Sequence, residues 1–187
     1  KLPFAGPTGL EEQELRFPGV WKYVPEEAQL PVKHQAAALA AEAEARGSDF
    51  VPAHRGRYDV IILPVFDFEF RFQRPQQIAA QYARSGHRVF WLSPVRSVPA
   101  SSPKNYETVL LRESLWEIRV RSEPQQLYEG ELTYENTRLL TGYLEEVFRD
   151  FAISESCVIL QFPYWRRLGL AMREAFGTRV IYDCMDE

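Results

Sequence analysis

The chain is short of the groups that most often carry chemistry. It has two cysteines and three histidines in 187 residues. Cys157 and Cys184 form no C-x-x-C pair and have no histidine beside them, so a thiol redox motif and a zinc ribbon are excluded. Each cysteine sits in an apolar run that reads as a strand, and both are expected as buried structural thiols. His34, His54 and His87 are far apart in sequence, and no metal site is expected from them. No segment approaches the roughly 20 apolar residues of a membrane span, and no basic-then-apolar leader opens the chain. A cytoplasmic location is expected, either free or at the inner face of the membrane. G-x-S-x-G, Walker and H-E-x-x-H spacings are all missing, which removes the hydrolase, NTPase and zincin readings tied to them.

Charge of one sign is also scarce. A net charge of -4 carries no concentrated basic surface of the kind that nucleic-acid binders show, so nucleic acid is not an expected partner. Hydrophobic residues make up 45% and charged residues 26%, which is the balance of a folding globular chain rather than a disordered tail. This length holds one core domain and an appendage.

Residues 1–57 read as that appendage. Prolines at 3, 7, 18, 25, 31 and 52 allow only short elements between turns. One helix is expected over Val32–Arg46, rich in alanine and glutamate, with Pro31 suited to a helix start and Gly47 to a helix end. The segment otherwise reads as a Pro-rich linker, although Phe17, Trp21, Tyr23 and Phe50 give it groups that pack. The chain starts at Lys1 and stops at Glu187 directly after a strand, so both ends read as cuts.

From residue 58 to 187 apolar runs alternate with helical patterns, the mark of strand-helix units around a parallel sheet. Tyr58–Val65 (YDVIILPV) is a continuous β-branched run, as a strand covered on both faces requires. Arg74-Pro75 opens a helix striped by Ile78, Ala79, Tyr82 and Ala83, and Gly86 ends it. His87–Ser93 supplies the next strand, completing a right-handed crossover unit of about 35 residues. After a Ser/Pro-rich loop, Glu107–Leu111 and Leu115–Arg121 are expected to pair as a hairpin on the sheet edge. A helix over Thr133–Phe151 follows, striped by Leu139, Leu140, Tyr143, Leu144, Val147 and Phe151. Then come a strand at Cys157–Phe162, a helix at Trp165–Phe176 closed by Gly177, and a strand at Thr178–Tyr182. The expected fold is α/β: a Rossmann-like parallel sheet with helices on both faces.

In open parallel sheets ligands sit beyond the carboxyl ends of the strands, where loops and helix amino termini converge. Three loops end there: Phe66–Arg74, Pro163–Arg166 and Asp183–Glu187. The first lacks G-x-G-x-x-G, and its aromatic side chains would block the close backbone approach that a pyrophosphate needs. It offers instead Asp67, Glu69, Arg71 and Arg74 among four phenylalanines, a mixture suited to hydrogen bonding and stacking on a hydroxyl-rich ring. A capped, salt-bridged turn would use the same residues. Arg74 with Gln76 or Gln77 lies in a first helical turn whose amides can meet an anion, or simply cap the helix. Trp165 adds an indole from the second loop. Asp183, Asp186 and Glu187 place three carboxylates at one strand end, able to orient an acceptor hydroxyl, act as a base or hold Mg²⁺, or to be solvated loop acids.

The string RFQRPQQIAAQYARSGHRVFWLSP, Arg71–Pro94, together with VIYDCMDE, Val180–Glu187, resembles bacterial glycosyltransferases of the GT-B class, including teichuronic-acid-type and related group 1 proteins. The resemblance spans about Tyr58–Glu187, and its middle is generic. It implies two Rossmann-like domains across a cleft: an amino-terminal one holding a sugar or glycolipid acceptor, and a carboxyl-terminal one gripping a nucleotide-sugar. On that reading this chain is the acceptor-side domain, inactive alone, from an enzyme of polysaccharide or glycoconjugate synthesis. It would bind no cofactor itself, and the enzyme would associate with the membrane peripherally. Asp67–Arg74, Asp183, Asp186 and Glu187 would line the cleft, and no catalytic residue is assigned. The glycines that many such proteins carry in the first loop are replaced here by FDFEFRFQ, so the acceptor mode is expected to differ. Two other readings stay open. One is a non-catalytic Rossmann-like scaffold that docks partners through residues 1–57, and the other is a nucleotide- or flavin-binding oxidoreductase, which the missing glycine fingerprint disfavours.

Overall fold

The computed structural model describes residues 56–125, 127–128 and 130–184. The helix expected over Val32–Arg46, with nearly all of the Pro-rich segment, and the carboxylates of Asp186 and Glu187 lie outside the described residues. In chain order the elements are β1 (Asp59–Leu63), α1 (Arg74–Arg84), β2 (Val89–Ser97), β3 (Tyr106–Arg112) and β4 (Leu115–Val120). They continue with α2 (Tyr134–Asp150), β5 (Ser156–Leu160), a 3-10 turn (Pro163–Trp165), α3 (Arg166–Phe176) and β6 (Arg179–Tyr182).

The strands form one six-stranded sheet in the order β3-β4-β2-β1-β5-β6. Neighbours run parallel except β3 and β4, which pair antiparallel as the expected edge hairpin, so the sheet is mixed. All five residues of β1 are buried. Because successive side chains point to opposite faces, Val60 and Ile62 join Ala79 of α1, Val89, Trp91 and Ile159 on one side. Ile61 and Leu63 join Leu140 and Leu144 of α2 and Leu168 and Met172 of α3 on the other. One helix therefore covers the first face and two cover the second. This double cover is why β1 and β5 read as unbroken apolar runs.

Local chemistry sets the helix ends. Thr133 caps α2 by accepting the Asn136 N–H at 3.1 Å. Gly177, at φ 67°, closes α3 in the left-handed conformation that favours glycine. Gly169 lets α3 approach β5, since a Cβ there would lie 2.9 Å from the Leu160 side chain.

Four expectations are corrected. β1 is shorter than Tyr58–Val65. β2 starts two residues late and runs on to Ser97, because after an irregularity beyond Leu92 the chain pairs again with Val120. Leu139, placed in the apolar stripe of α2, is exposed, while Phe148 faces the core. Cys157 is buried as expected, whereas Cys184 lies past β6 and is exposed, because β6 is an edge strand with little cover beyond it.

Candidate functional site

The chain adds β2, β4 and β3 to one side of β1, then returns to add β5 and β6 to the other. The direction of winding reverses between β1 and β5, and at such a reversal the loops leaving neighbouring strands diverge to opposite faces and open a crevice. The loop after β1 climbs to α1, and the one after β5 turns toward α3. Asp183 follows at the end of β6.

The loop after β1 is tied down rather than free. Phe68 is buried edge-on against Trp91, 5.1 Å between ring centroids. Arg96, which lies within the irregularity in β2, holds Glu69 at 2.6 Å and Asp67 at 3.3 Å. It also lies 3.5 Å from Glu117 of β4, which Arg119 pairs at 2.8 Å. Burial pulls the Arg96 guanidinium down, but its bond to Glu69 and the fields of Glu117 and Asp67 hold its pKa above the ordinary value. Phe70 and Phe72 remain exposed, with Arg71 5.4 Å from the Phe70 ring and Arg112 4.9 Å from that of Phe72. Burial, and then the nearby Arg84 charge, lower the Arg112 pKa.

Of the two readings left open for the amino terminus of α1, an anion site or a cap, the residues form the cap. Gln76 is fully buried; its Nε2 donates to the Phe68 and Arg71 carbonyls, and its Oε1 accepts the Gln73 N–H at 3.0 Å. Gln76 thus closes this turn, and only Gln77 of the two is exposed. Arg74 reaches from the helix start to β6, with its Nη2 2.5 Å from Asp183 Oδ1. The first loop and the acidic end, 109 residues apart in sequence, meet in this pair.

Trp165 occupies a different place from the one its sequence position suggested. Its side chain is 0% exposed, and its Nε1 donates to the Pro64 carbonyl at 2.6 Å. The indole is thus part of the core on the α2 and α3 face and has no open face for stacking, because its 3-10 turn folds it inward. His87 is likewise structural, its Nδ1 2.8 Å from the Tyr58 carbonyl oxygen.

Two residues of this edge escaped the sequence reading. Arg96 lies in what reads as a Ser/Pro loop, and nothing in the sequence marks it as the clamp. Gln161 sits inside the apolar run CVILQF, where one amide among apolar residues was the available signal. Its side chain is 2% exposed, yet neither Oε1 nor Nε2 has a hydrogen-bond partner among the described residues. Seven buried side-chain atoms there lack a hydrogen bond; three belong to this edge, both Gln161 atoms and Asp183 Oδ2, and a fourth, Asp67 Oδ2, is ion-paired with Arg96 at 3.3 Å. The others are Trp91 Nε1, Trp116 Nε1 and Glu117 Oε1, on β2 and β4.

A second concavity, about 570 Å³, runs along β5 and β6 on the α1 side from their amino ends, lined by Tyr58, Glu155, Cys157, Arg179 and Ile181 among others. Burial pushes the Cys157 thiol up to about 11, so the group stays protonated and is a poor nucleophile at neutral pH. No described residues group three or more histidine, cysteine or acidic side chains as a metal would need. No helix among the described residues is long and apolar enough to cross a membrane. No protein-family model matches the chain, and no curated protein matches it.

Proposed function

We propose that the crevice at the carboxyl edge is the acceptor site of a Rossmann-like domain, the amino-terminal half of a GT-B glycosyltransferase acting in surface polysaccharide or glycoconjugate synthesis. The observation that supports this most is the set of buried hydrogen-bonding atoms without a partner at Gln161 and Asp183, beside the reversal of strand order. A folded protein seldom leaves such atoms unpaired, because each costs about 1–3 kcal/mol, and a ligand that supplies their partners recovers that energy on binding.

The groups on offer suit hydroxyls. Carboxylates accept from hydroxyl protons, an amide both donates and accepts, and the exposed Phe70 gives an apolar ring face to a sugar. Arg96 acts as a positioning residue by fixing Asp67 and Glu69. Asp183 is the carboxylate best placed to orient an acceptor hydroxyl, and Arg74 is ion-paired with it. The nucleotide-sugar would be held by a separate domain facing this edge, at the inner surface of the membrane where such acceptors are made. The docking-scaffold alternative relies on residues 1–57, which lie almost wholly outside the described residues.

Full-length protein is to be incubated with UDP-, GDP- and dTDP-sugars, and release of the nucleoside diphosphate followed. Turnover of at least one donor is expected, cut tenfold or more by Asp183→Asn with the fold intact. Absence of release from every donor, or release indifferent to Asp183→Asn, would overturn the reading.

A further inference from the structure

The backbone ladder continues one step past β5 and β6. Gln161 N–H donates to Leu63 O at 3.0 Å, and Asp183 N–H donates to Leu160 O at 2.8 Å. With Leu63 beside Leu160 and Leu160 beside Tyr182, the next rung sets Pro64, Gln161 and Asp183 abreast. Alternation puts this rung on the side of Cys157 and Ile159, which is the α1 side. Neighbouring strands lie about 4.8 Å apart, so Gln161 and Asp183 are neighbours on one face of the sheet. Both carry buried atoms without a partner.

The chemistry of the pair is selective. Asp183 Oδ2 requires a donor, whereas the Gln161 amide requires one acceptor and one donor. Hydroxyl groups on adjacent carbons meet both demands. An anion meets neither well: Asp183 repels it, the Arg74 charge is neutralised by Asp183, and Gln76 closes the amino terminus of α1. We infer that Gln161 and Asp183 form a subsite for a vicinal diol of an uncharged sugar or polyol, and that phosphate is not its ligand. The inference rests on the reading of this edge as a ligand site, and it adds the two residues and the neutral class they select. Arg74, more than half exposed, is the group that can move to admit the diol, because an exposed ion pair holds its members weakly.

The test titrates the whole chain, and its Gln161→Leu and Asp183→Asn variants, with methyl α-glucopyranoside, myo-inositol and sodium phosphate by ligand-observed NMR, and records each Tm. At least one polyol is expected to bind and phosphate not to bind. Gln161→Leu is expected to weaken the polyol about tenfold or more while raising Tm by a few degrees, since an unpaired buried amide gives way to an apolar group of similar size. A purely structural glutamine would move Tm the other way. Asp183→Asn, which exchanges an acceptor for a donor at one oxygen position, is expected to lose binding without unfolding, and it carries the test if Gln161→Leu does not fold. Binding of phosphate in place of both polyols, unchanged polyol affinity in the variants, or a lower Tm for a folded Gln161→Leu overturns the inference. Polyol binding needs no sugar donor. A full-length protein that binds polyol but releases no nucleotide therefore sinks the transferase reading alone, and the reverse outcome sinks this one alone.

Discussion

The two edges of the sheet treat buried polarity in opposite ways. At the amino edge Asp59 and Arg88 are both nearly inaccessible, and they form a two-pronged pair, Nε to Oδ1 at 2.7 Å and Nη2 to Oδ2 at 2.6 Å. Arg88 Nη1 also donates to the Phe151 carbonyl at 3.0 Å. Nearby, the Ser156 and Thr178 hydroxyls bond to each other at 2.9 Å. At the carboxyl edge both side-chain atoms of Gln161 and Asp183 Oδ2 have no such partner among the described residues. The buried polar groups of the amino edge named here are matched within the fold. On the proposed reading, those left unmatched at the strand reversal are the ones a ligand would meet.

The sharpest way to break this contrast is at Arg88. Arg88→Ala leaves Asp59 charged and buried, and a loss of about 3–5 kcal/mol is expected from urea denaturation. A loss under about 1 kcal/mol would show that Asp59 finds water, and the amino edge would no longer count as matched. Arg96→Ala comes next. It strips Asp67 and Glu117 of their shared cation, with an expected cost of about 1–3 kcal/mol. Faster proteolysis between residues 66 and 73 should accompany it, because Arg96 ties that loop to the sheet. Ser156→Ala leaves the Thr178 hydroxyl alone at the amino edge, and about 1 kcal/mol is expected.

The pH dependence probes the cleft along β5. The Cys157 thiol titrates at about 11 when folded against an ordinary 9.0, because burial disfavours the thiolate. Between those values the unfolded chain has lost its proton and the folded chain keeps it, so this group lowers stability as pH rises from 9 toward 11. Cys157→Ala is expected to flatten that part of the stability-pH curve. The smallest effect belongs to the carboxyl edge again. Arg74→Ala removes an exposed pair, and a change of no more than about 0.5 kcal/mol is expected while access to Asp183 increases. A larger loss would make Arg74 a structural group, like Arg88.

How far the sequence could be read depends on the range over which each feature is decided. The cap at Thr133, the end at Gly177 and the helical register of Leu140, Leu144 and Val147 are settled within a few residues, and these were legible. So was the β3-β4 hairpin, whose strands are joined by a short turn. Leu139 was misplaced because an apolar residue one step off the stripe looks the same in a sequence as one on it. The extension of β2 was missed because its last pairing depends on β4, more than 20 residues away. Of the site, Asp67, Glu69, Arg74 and Asp183 were singled out by type and position. That Arg74 meets Asp183, that Trp165 is turned inward, and that Arg96 and Gln161 belong to the same edge required the assembled sheet.

The amino-acid order alone determined which segments are strands or helices and that the strands would be sandwiched, because apolar periodicity and capping act over distances shorter than one element. Only the tertiary structure decided which polar groups found partners. That outcome depends on the strand order, and a single reversal between β1 and β5 brings Arg74 and Asp183, 109 positions apart, to one edge while leaving Gln161 and Asp183 with unused hydrogen-bonding capacity among the described residues.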